Sequence, residues 1–397
     1  MEQLYRRYQS DDEAGVFYAL TLIATGTLAN DKSYANEKKA ARILNRVRAR
    51  VPQHPGVTHY LIHSYDYPAL ARLALPAARS YAKIAPASAH ARHMPSHIFT
   101  RLGLWPEAIR SNLGAEAAAK EFARRNNYSG AWDEQFHAMD YLAYAYLQGA
   151  QDKEARGVLD ELNKIPKAEP ESFKVAYAYT AIKARYALER RRWDEAAKLS
   201  LPLESLGGFH WGQFPWAEAQ IQFARAIGAA RSGDAASARE ALAKLAEIRE
   251  ALTVATGDYD WARQVEIQRQ AASAWLARAE GRDADALRLM RAAADLEDAT
   301  EKHPVTPGAI LPAREMLGDL LSELNHPALA LKEYEKSLET SPNRFNSIYG
   351  AARSAELAKE DARARAFYQK LIALAEKADG SRPELQQTRK YLAKRGH

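Results

Sequence analysis

The sequence predicts an all-α fold, a right-handed α-solenoid of stacked helix pairs forming a single superhelical domain. Three observations carry this. Strand signals are nearly absent, and Ala-rich segments with apolar residues at helical spacing run almost end to end, broken by short Gly, Asn, Asp or Pro punctuation. A period is visible: His59 and His93, His63 and His97, Pro52 and Pro86, and Tyr65 and Phe99 each lie 34 residues apart, the spacing of a helix–turn–helix repeat. The 397 residues are 47% hydrophobic, enough to give a long stack of helices a continuous core.

Helix pairs follow in order along the chain. Residues 11–26 pair with 36–52, 56–66 with 69–86, and 93–103 with 105–125. Next come 133–149 with 152–166, 172–192 with 193–207, 214–233 with 235–252, and 258–281 with 283–300. Residues 312–325 then pair with 327–342, 343–360 with 361–377, and 381–395 close the chain. Within this single domain, 1–165 hold the His-rich repeats and 166–397 the C-terminal repeats.

Composition excludes several classes. Lys plus Arg number 56 against 50 for Asp plus Glu, a net charge of +6. The charges are interspersed, which reads as solvated helix faces rather than a nucleic-acid footprint. There is no cysteine, so disulfides, thiolate zinc sites and cysteine nucleophiles are excluded together. No run of 18 apolar residues exists, so no membrane span is expected. GVFYALTLIATGTLA follows SDDEA rather than a basic start, and reads as a repeat helix rather than a signal peptide. G-x-S-x-G, the P-loop, the dinucleotide fingerprint and H-E-x-x-H are all missing.

The repeats themselves resemble the tetratricopeptide repeat (TPR). In residues 311–344, Gly318 takes the small mid-helix position, Ala330 the small position of the second helix, and Pro342 ends the repeat. LGLWPEAI, with Gly103, Trp105 and Ala108, and RRRWDEAA fit the same turn. A narrower resemblance rests on HPGVTHYLIHSYD, HARHMPSHIFTRLGLW and EKHPVTPG. Together these are similar to a group of bacterial TPR proteins, many of them exported, whose biochemical role is unassigned. That resemblance implies the fold and a periplasmic or secreted location, with a leader not present in this chain and the cytoplasm as the alternative. It implies no reaction.

Six of the chain's 11 histidines, His54, His59, His63, His90, His93 and His97, fall within residues 52–105. An even scatter would place only about one or two there. In a TPR the first helix of each repeat lines the concave groove through its positions 2, 5 and 9. His90, His93 and His97 fall at 2, 5 and 9, His59 and His63 at 5 and 9, and His137 and Asp140 at 2 and 5 of the following repeat. An i,i+4 imidazole pair offers two ligands from one helix face. His59, His63, His90, His93, His97 and His137 are therefore the candidate metal ligands, and Asp140 and Glu13 the candidate catalytic bases. A single groove histidine would read as a hydrogen-bonding residue; the repeated set reads as a site. Pro95 leaves two options, a helix starting near Met94 or one kinked there.

Donors that are nearly all imidazole favour zinc first, then copper or nickel, over calcium or magnesium, as one or two ions. Three histidines with Asp140 and a water would make a hydrolytic zinc site; two sets of three would make a dicopper site. The function expected is a metal-dependent hydrolase acting on a small molecule or peptide in the groove. The alternatives are a non-catalytic peptide- or protein-binding scaffold and a copper-binding or copper-oxidative protein. Weaker signals remain. Asp66 fits an imidazole-orienting carboxylate or a helix-ending Asp, and Asp133 and Glu134 fit a cap of the helix carrying His137. Tyr60, Tyr65, Tyr141 and Tyr144 fit the core. GFHWGQFPW, with His210, Trp211 and Trp216, fits packing under a loop or a substrate wall. His303 lies in a long loop that only curvature could bring inward, and His326 and His397 read as surface residues.

Overall fold

A computed structural model describes residues 1–29, 31–201, 206–253 and 259–394. His397 and residues 202–205 of the 193–207 segment lie outside the described residues. The chain divides into two compact units, Met1–Arg125 and Asn126–His397. The sequence predicts one superhelix with its His-rich part ending at 165. The division between the compact units falls where the last helix of the first unit ends at Arg125 and the NNYSG stretch begins.

The first unit contains α1 (Glu2–Arg7), α2 (Asp12–Ala29), α3 (Ala35–Arg50), α4 (Pro55–Tyr65), α5 (Leu75–Ile84), α6 (Ala89–His93), α7 (Pro95–Arg101) and α8 (Trp105–Arg125). Helix α2 packs on α3, α3 on α4, α5 on α7, and both α6 and α7 on α8. Local chemistry sets the helix starts. His54 caps α4, its Nδ1 accepting from Val57 N at 3.3 Å, with Pro55 in the first turn. Ser88 caps α6 through Ala91 N. Pro95 then opens α7, because a proline lacks the donor that an unbroken helix needs there. Met94 keeps helical dihedrals, so the two short helices form one broken rod. Helix α8 buries Ala108, Asn112, Ala115, Glu116 and Ala119, one stripe at helical spacing.

The second unit contains α9 (Asp133–Gln148), α10 (Asp152–Lys164), α11 (Phe173–Leu188), α12 (Trp193–Ala197), α13 (Pro215–Arg231), α14 (Ala235–Thr253) and α15 (Trp261–Ala279). It continues with α16 (Asp283–Asp298), α17 (Ala313–Glu323), α18 (Pro327–Thr340), α19 (Phe345–Leu357), α20 (Asp361–Leu374) and α21 (Pro383–Lys394). A short parallel pair, β1 (Ala131–Trp132) with β2 (Ala168–Glu169), flanks the first helix pair. Helices pack in sequential antiparallel pairs, and the first helix of one pair also touches the first helix of the next: α9 with α11, α11 with α13, α13 with α15. Those first helices are enclosed; every residue of α9 is buried, whereas α10 buries only Ala155 and Leu162. Small residues permit the close approach. A Cβ on Gly318 would lie 2.7 Å from Cε1 of Tyr334, and Gly350 flanks the other side of the same ring. Helix α12 ends at Ala197, and Gly207 N donates to Pro166 O at 2.8 Å.

The second unit also closes on itself. Helix α9 packs on α19. Arg344, fully buried, reaches Glu189 Oε1 at 2.7 Å, Glu315 Oε1 at 2.9 Å and Tyr144 Oη at 2.9 Å. Gln148 Oε1 accepts from Phe345 N, and Arg382 Nη2 donates to Leu147 O. The loop before α17 turns inward between these helices: Val305 O accepts from Tyr141 Oη, and Gly308 O accepts from Tyr177 Oη and Arg185 Nη2.

Candidate metal centre

In the first unit, five imidazoles meet on α4, α6 and α7. His59 and His63 share one face of α4, and their Nε2 atoms are 3.0 Å apart. His90, in the first turn of α6, brings its Nε2 to 3.1 Å from that of His59. His93 closes α6 and His97 follows in α7, Nε2 to Nε2 at 3.0 Å. The His63 and His97 rings are neighbours, with centroids 6.3 Å apart.

The His93–His97 pair is the more enclosed, at 1% and 4% exposure. Each ring has its other nitrogen tied to an oxygen. His93 Nδ1 lies 2.7 Å from Asn112 Oδ1, and Asn112 Nδ2 donates to Ala108 O, which fixes the amide so that Oδ1 faces the imidazole. His97 Nδ1 lies 3.1 Å from Asp66 Oδ2. Arg101 locks that carboxylate, donating from Nε to Asp66 Oδ1 and from Nη2 to Asp66 O, both at 2.8 Å. Oxygen acceptors at both Nδ1 atoms place the ring protons there. Both Nε2 atoms then face each other across 3.0 Å in a buried site, an arrangement that a cation between them would satisfy. Tetrahedral zinc, with bonds of about 2.0–2.1 Å, sets two imidazole nitrogens about 3.3 Å apart, so the pair would need to open by only a few tenths of an ångström. A carboxylate or amide behind each imidazole is the usual support of a metal-ligating histidine.

His59 resists protonation. Burial, then the neighbouring His63, His90 and His97, push its imidazole down to about 2. Its ring stacks on Tyr81 at 5.8 Å.

The remaining predicted residues are placed as follows. Asp66 fulfils both readings at once, ending α4 and orienting His97. His54 is a cap, and its Nε2 meets Glu13 Oε1 at 2.9 Å. Glu13, expected as a base, is an exposed first-turn acid engaged by that histidine. In the second unit, His137 is buried on α9 with its ring edge-on to Tyr141. His93, His97 and His137 are thus all buried imidazoles of the kind that can ligate a metal. Asp140, the other expected base, is fully enclosed and paired with the Arg185 guanidinium. Burial pushes its carboxyl up to about 6, against the opposing pull of Arg185. Asp133 and Glu134 lie just inside α9 rather than at its cap, which is Trp132, and pair with Ser172 and Lys174. Trp211 and Trp216 are buried, in keeping with packing under a loop, while exposed His210 meets Glu171. His303 is drawn inward and stacks on Phe173 at 4.3 Å and Trp261 at 5.4 Å. His326 is exposed.

Two supporting residues are not named from the sequence, Asn112 and Arg101. Asn112 is a polar residue in the buried stripe of α8, which is unfavourable without a partner. Arg101 falls one helical turn after His97. Both signals are visible only once the histidine faces are assigned.

No family model matches the sequence, and no curated protein matches it. Among solved structures the chain is similar to a tetratricopeptide repeat protein from Parabacteroides merdae ATCC 43184, at 12% identity over 77% of this chain and 98% of that one, TM-score 0.38. It is similar to the P58(IPK) TPR domain at 14% identity, covering 97% and 99%, TM-score 0.28. It is also similar to yeast Tom70 at 12%, covering 98% and 93%, TM-score 0.37. These likenesses are to helical-repeat folds, and the site is read from this chain's own residues. Among the described residues, no helix is long and apolar enough to cross a membrane.

Proposed function

We propose that this is a metal-dependent hydrolase of helical-repeat architecture, with a zinc ion held by His93 Nε2 and His97 Nε2. One observation carries the metal site: two buried Nε2 atoms converge at 3.0 Å while both Nδ1 atoms are committed to oxygen partners. Two imidazoles leave further positions on the ion for water or substrate. Zinc in that position would lower the pKa of a bound water to about 7 and polarise a carbonyl or phosphoryl oxygen. Asp140 and Glu13 remain the proposed bases; Asp140 is paired with Arg185 and Glu13 with His54. Copper is the second metal, on the all-imidazole donors. A peptide scaffold is less well supported, because the inner faces of α9 and α11 already bind the chain's own loop at Val305 and Gly308.

Elemental analysis of untagged protein, purified without a nickel column, tests the site. At least one zinc or copper per chain is expected. His93→Ala and His97→Ala should lower it sharply and His326→Ala should not; equal content in all three would sink the assignment. Screening ester, amide and phosphoester substrates with and without the metal tests the hydrolase, and metal-independent or absent turnover counts against it. Export to the periplasm is proposed on the motif resemblance alone, and cell fractionation checks it.

A further inference from the structure

The proposed metal site leaves the aromatic cluster of the second unit without a role. Where α14 ends and α13 and α15 begin, that unit holds an open cavity of about 860 Å³, within the range of about 300–1,000 Å³ that takes small organic molecules. Among the described residues, part of its wall is flat and apolar. Half-exposed Trp261 lines it, backed by the buried Trp216 ring at 4.5 Å and 17° and meeting Tyr259 edge-on at 4.8 Å. Tyr259 is itself fixed, its hydroxyl donating to Glu301 O at 2.8 Å. Leu252 and Leu296 also line the cavity. A tryptophan already held by packing loses little freedom when a second ring covers it, so most of the gain from burying that face is kept.

Four charged side chains line the cavity, and the two acids are already engaged. Glu266 accepts from Arg269 at 2.7 and 2.8 Å and from Gln270 at 2.7 Å. Asp260 Oδ1 caps α15, accepting from Arg263 N at 2.8 Å. The two guanidiniums are poorly matched. Arg249 Nη1 stands 3.5 Å from Glu266 Oε2, its Nη2 reaches the exposed Glu250 at 3.2 Å, and its buried Nε has no hydrogen-bond partner among the described residues. Arg263 Nε stands 3.7 Å from Asp260 Oδ2. Long or exposed pairs of this kind hold a guanidinium weakly, so both remain able to take an incoming oxyanion. Pro215 and Trp216, at the start of α13, line the same cavity, and no side chain caps that helix, which adds partial positive charge at the mouth.

We infer that this cavity binds a small planar aromatic carboxylate, with its ring against Trp261 and its charge matched by Arg249 and Arg263. The ring answers the flat apolar wall. The carboxylate answers two guanidiniums whose neighbouring acids are committed elsewhere, and the same commitment disfavours a cationic ligand. The site lies within the second unit and stands whether or not the histidines of the first unit hold a metal.

The experiment is isothermal titration calorimetry of the untagged full chain with 2-naphthoate at low ionic strength. Saturable binding with a Kd of about 1 mM or below is expected. Two further probes separate the ring from the charge. 2-Naphthamide keeps the ring and loses the charge; cyclohexanecarboxylate keeps the charge and loses the flat face. Each should bind about tenfold more weakly or worse. Arg249→Gln and Arg263→Gln should each weaken 2-naphthoate by about tenfold, whereas Arg288→Gln, outside the lining of the cavity, should bind it as wild type does. Thermal melts followed by circular dichroism confirm that each variant is folded. Absence of saturable heat at millimolar 2-naphthoate overturns the site. So does equal binding of 2-naphthamide, or wild-type affinity in both Arg249→Gln and Arg263→Gln.

Discussion

Asp66 joins two structural roles in one carboxylate. It ends α4, accepts from Arg101 and faces His97 Nδ1. Asp66→Asn preserves size but removes the charge that holds the His97 proton on Nδ1, so zinc affinity should fall about 10–100-fold, as read by competition with a chromogenic chelator. His303 gives a test in the other unit. Its Nδ1 accepts from Val305 N, its ring stacks on Phe173, and burial, with Lys302 nearby, pushes it down to about 4 from an ordinary 6.5. The folded chain therefore resists protonation where the unfolded chain accepts it. His303 contributes its full stability above pH 6.5, and loses it progressively as pH falls toward about 4, by roughly 2 kcal/mol at pH 5. The drop in Tm between pH 7 and pH 5 should be smaller in His303→Phe than in wild type; equal drops would refute the assignment. Histidine spacing made the clustering of these imidazoles legible in the sequence. Their supports were not, because Asn112 reaches His93 from a helix 19 residues on and Arg101 acts through Asp66, 35 residues back.

At the scale of elements, most helix pairs were legible because apolar periodicity and the Gly and Pro punctuation agree. Pro95 marks the break between α6 and α7, and Gly318 the close approach of α17 and α18. The Tyr334 ring cannot retreat from an added methyl: it is fully buried and its hydroxyl donates to Asp319 Oδ1 at 2.6 Å. Gly318→Ala should therefore destabilise the fold by about 1–3 kcal/mol through overpacking, despite alanine's better helix propensity. A urea midpoint equal to or above wild type would contradict this. Helix α12 was less legible. Its sequence is compatible with a longer helix, but the stretch after it is tied to the backbone at Pro166, a tertiary contact that overrides local preference.

At the scale of the whole molecule, the repeat period announced stacked helix pairs but not the division at Arg125 or the closure of the second unit. Closure depends on pairs such as Arg344 with Tyr144, 200 residues apart, and Arg382 with Asp152, 230 apart, which leave no local pattern. Glu189 and Glu315 share the single Arg344 guanidinium. Arg344→Met would leave two buried carboxylates without their cation and should cost about 3–5 kcal/mol. Adding Glu189→Gln and Glu315→Gln should recover part of the lost Tm, and a single variant as stable as wild type would show that the network contributes nothing.

The inward loop that places Val305 and Gly308 against Tyr141, Tyr177 and Arg185 has a consequence for how the second unit assembles. An open row of repeats can nucleate anywhere and fray from its ends, each module depending only on its neighbours. Here α9 and α11 complete their polar contacts only after a segment more than 120 residues downstream has been made. During synthesis the early helices must wait with these loop contacts unmade, Arg185 held only by Asp140 and Tyr177, and once closed they cannot fray singly. Evolution of this half by gaining or losing a module would break the ring rather than lengthen it.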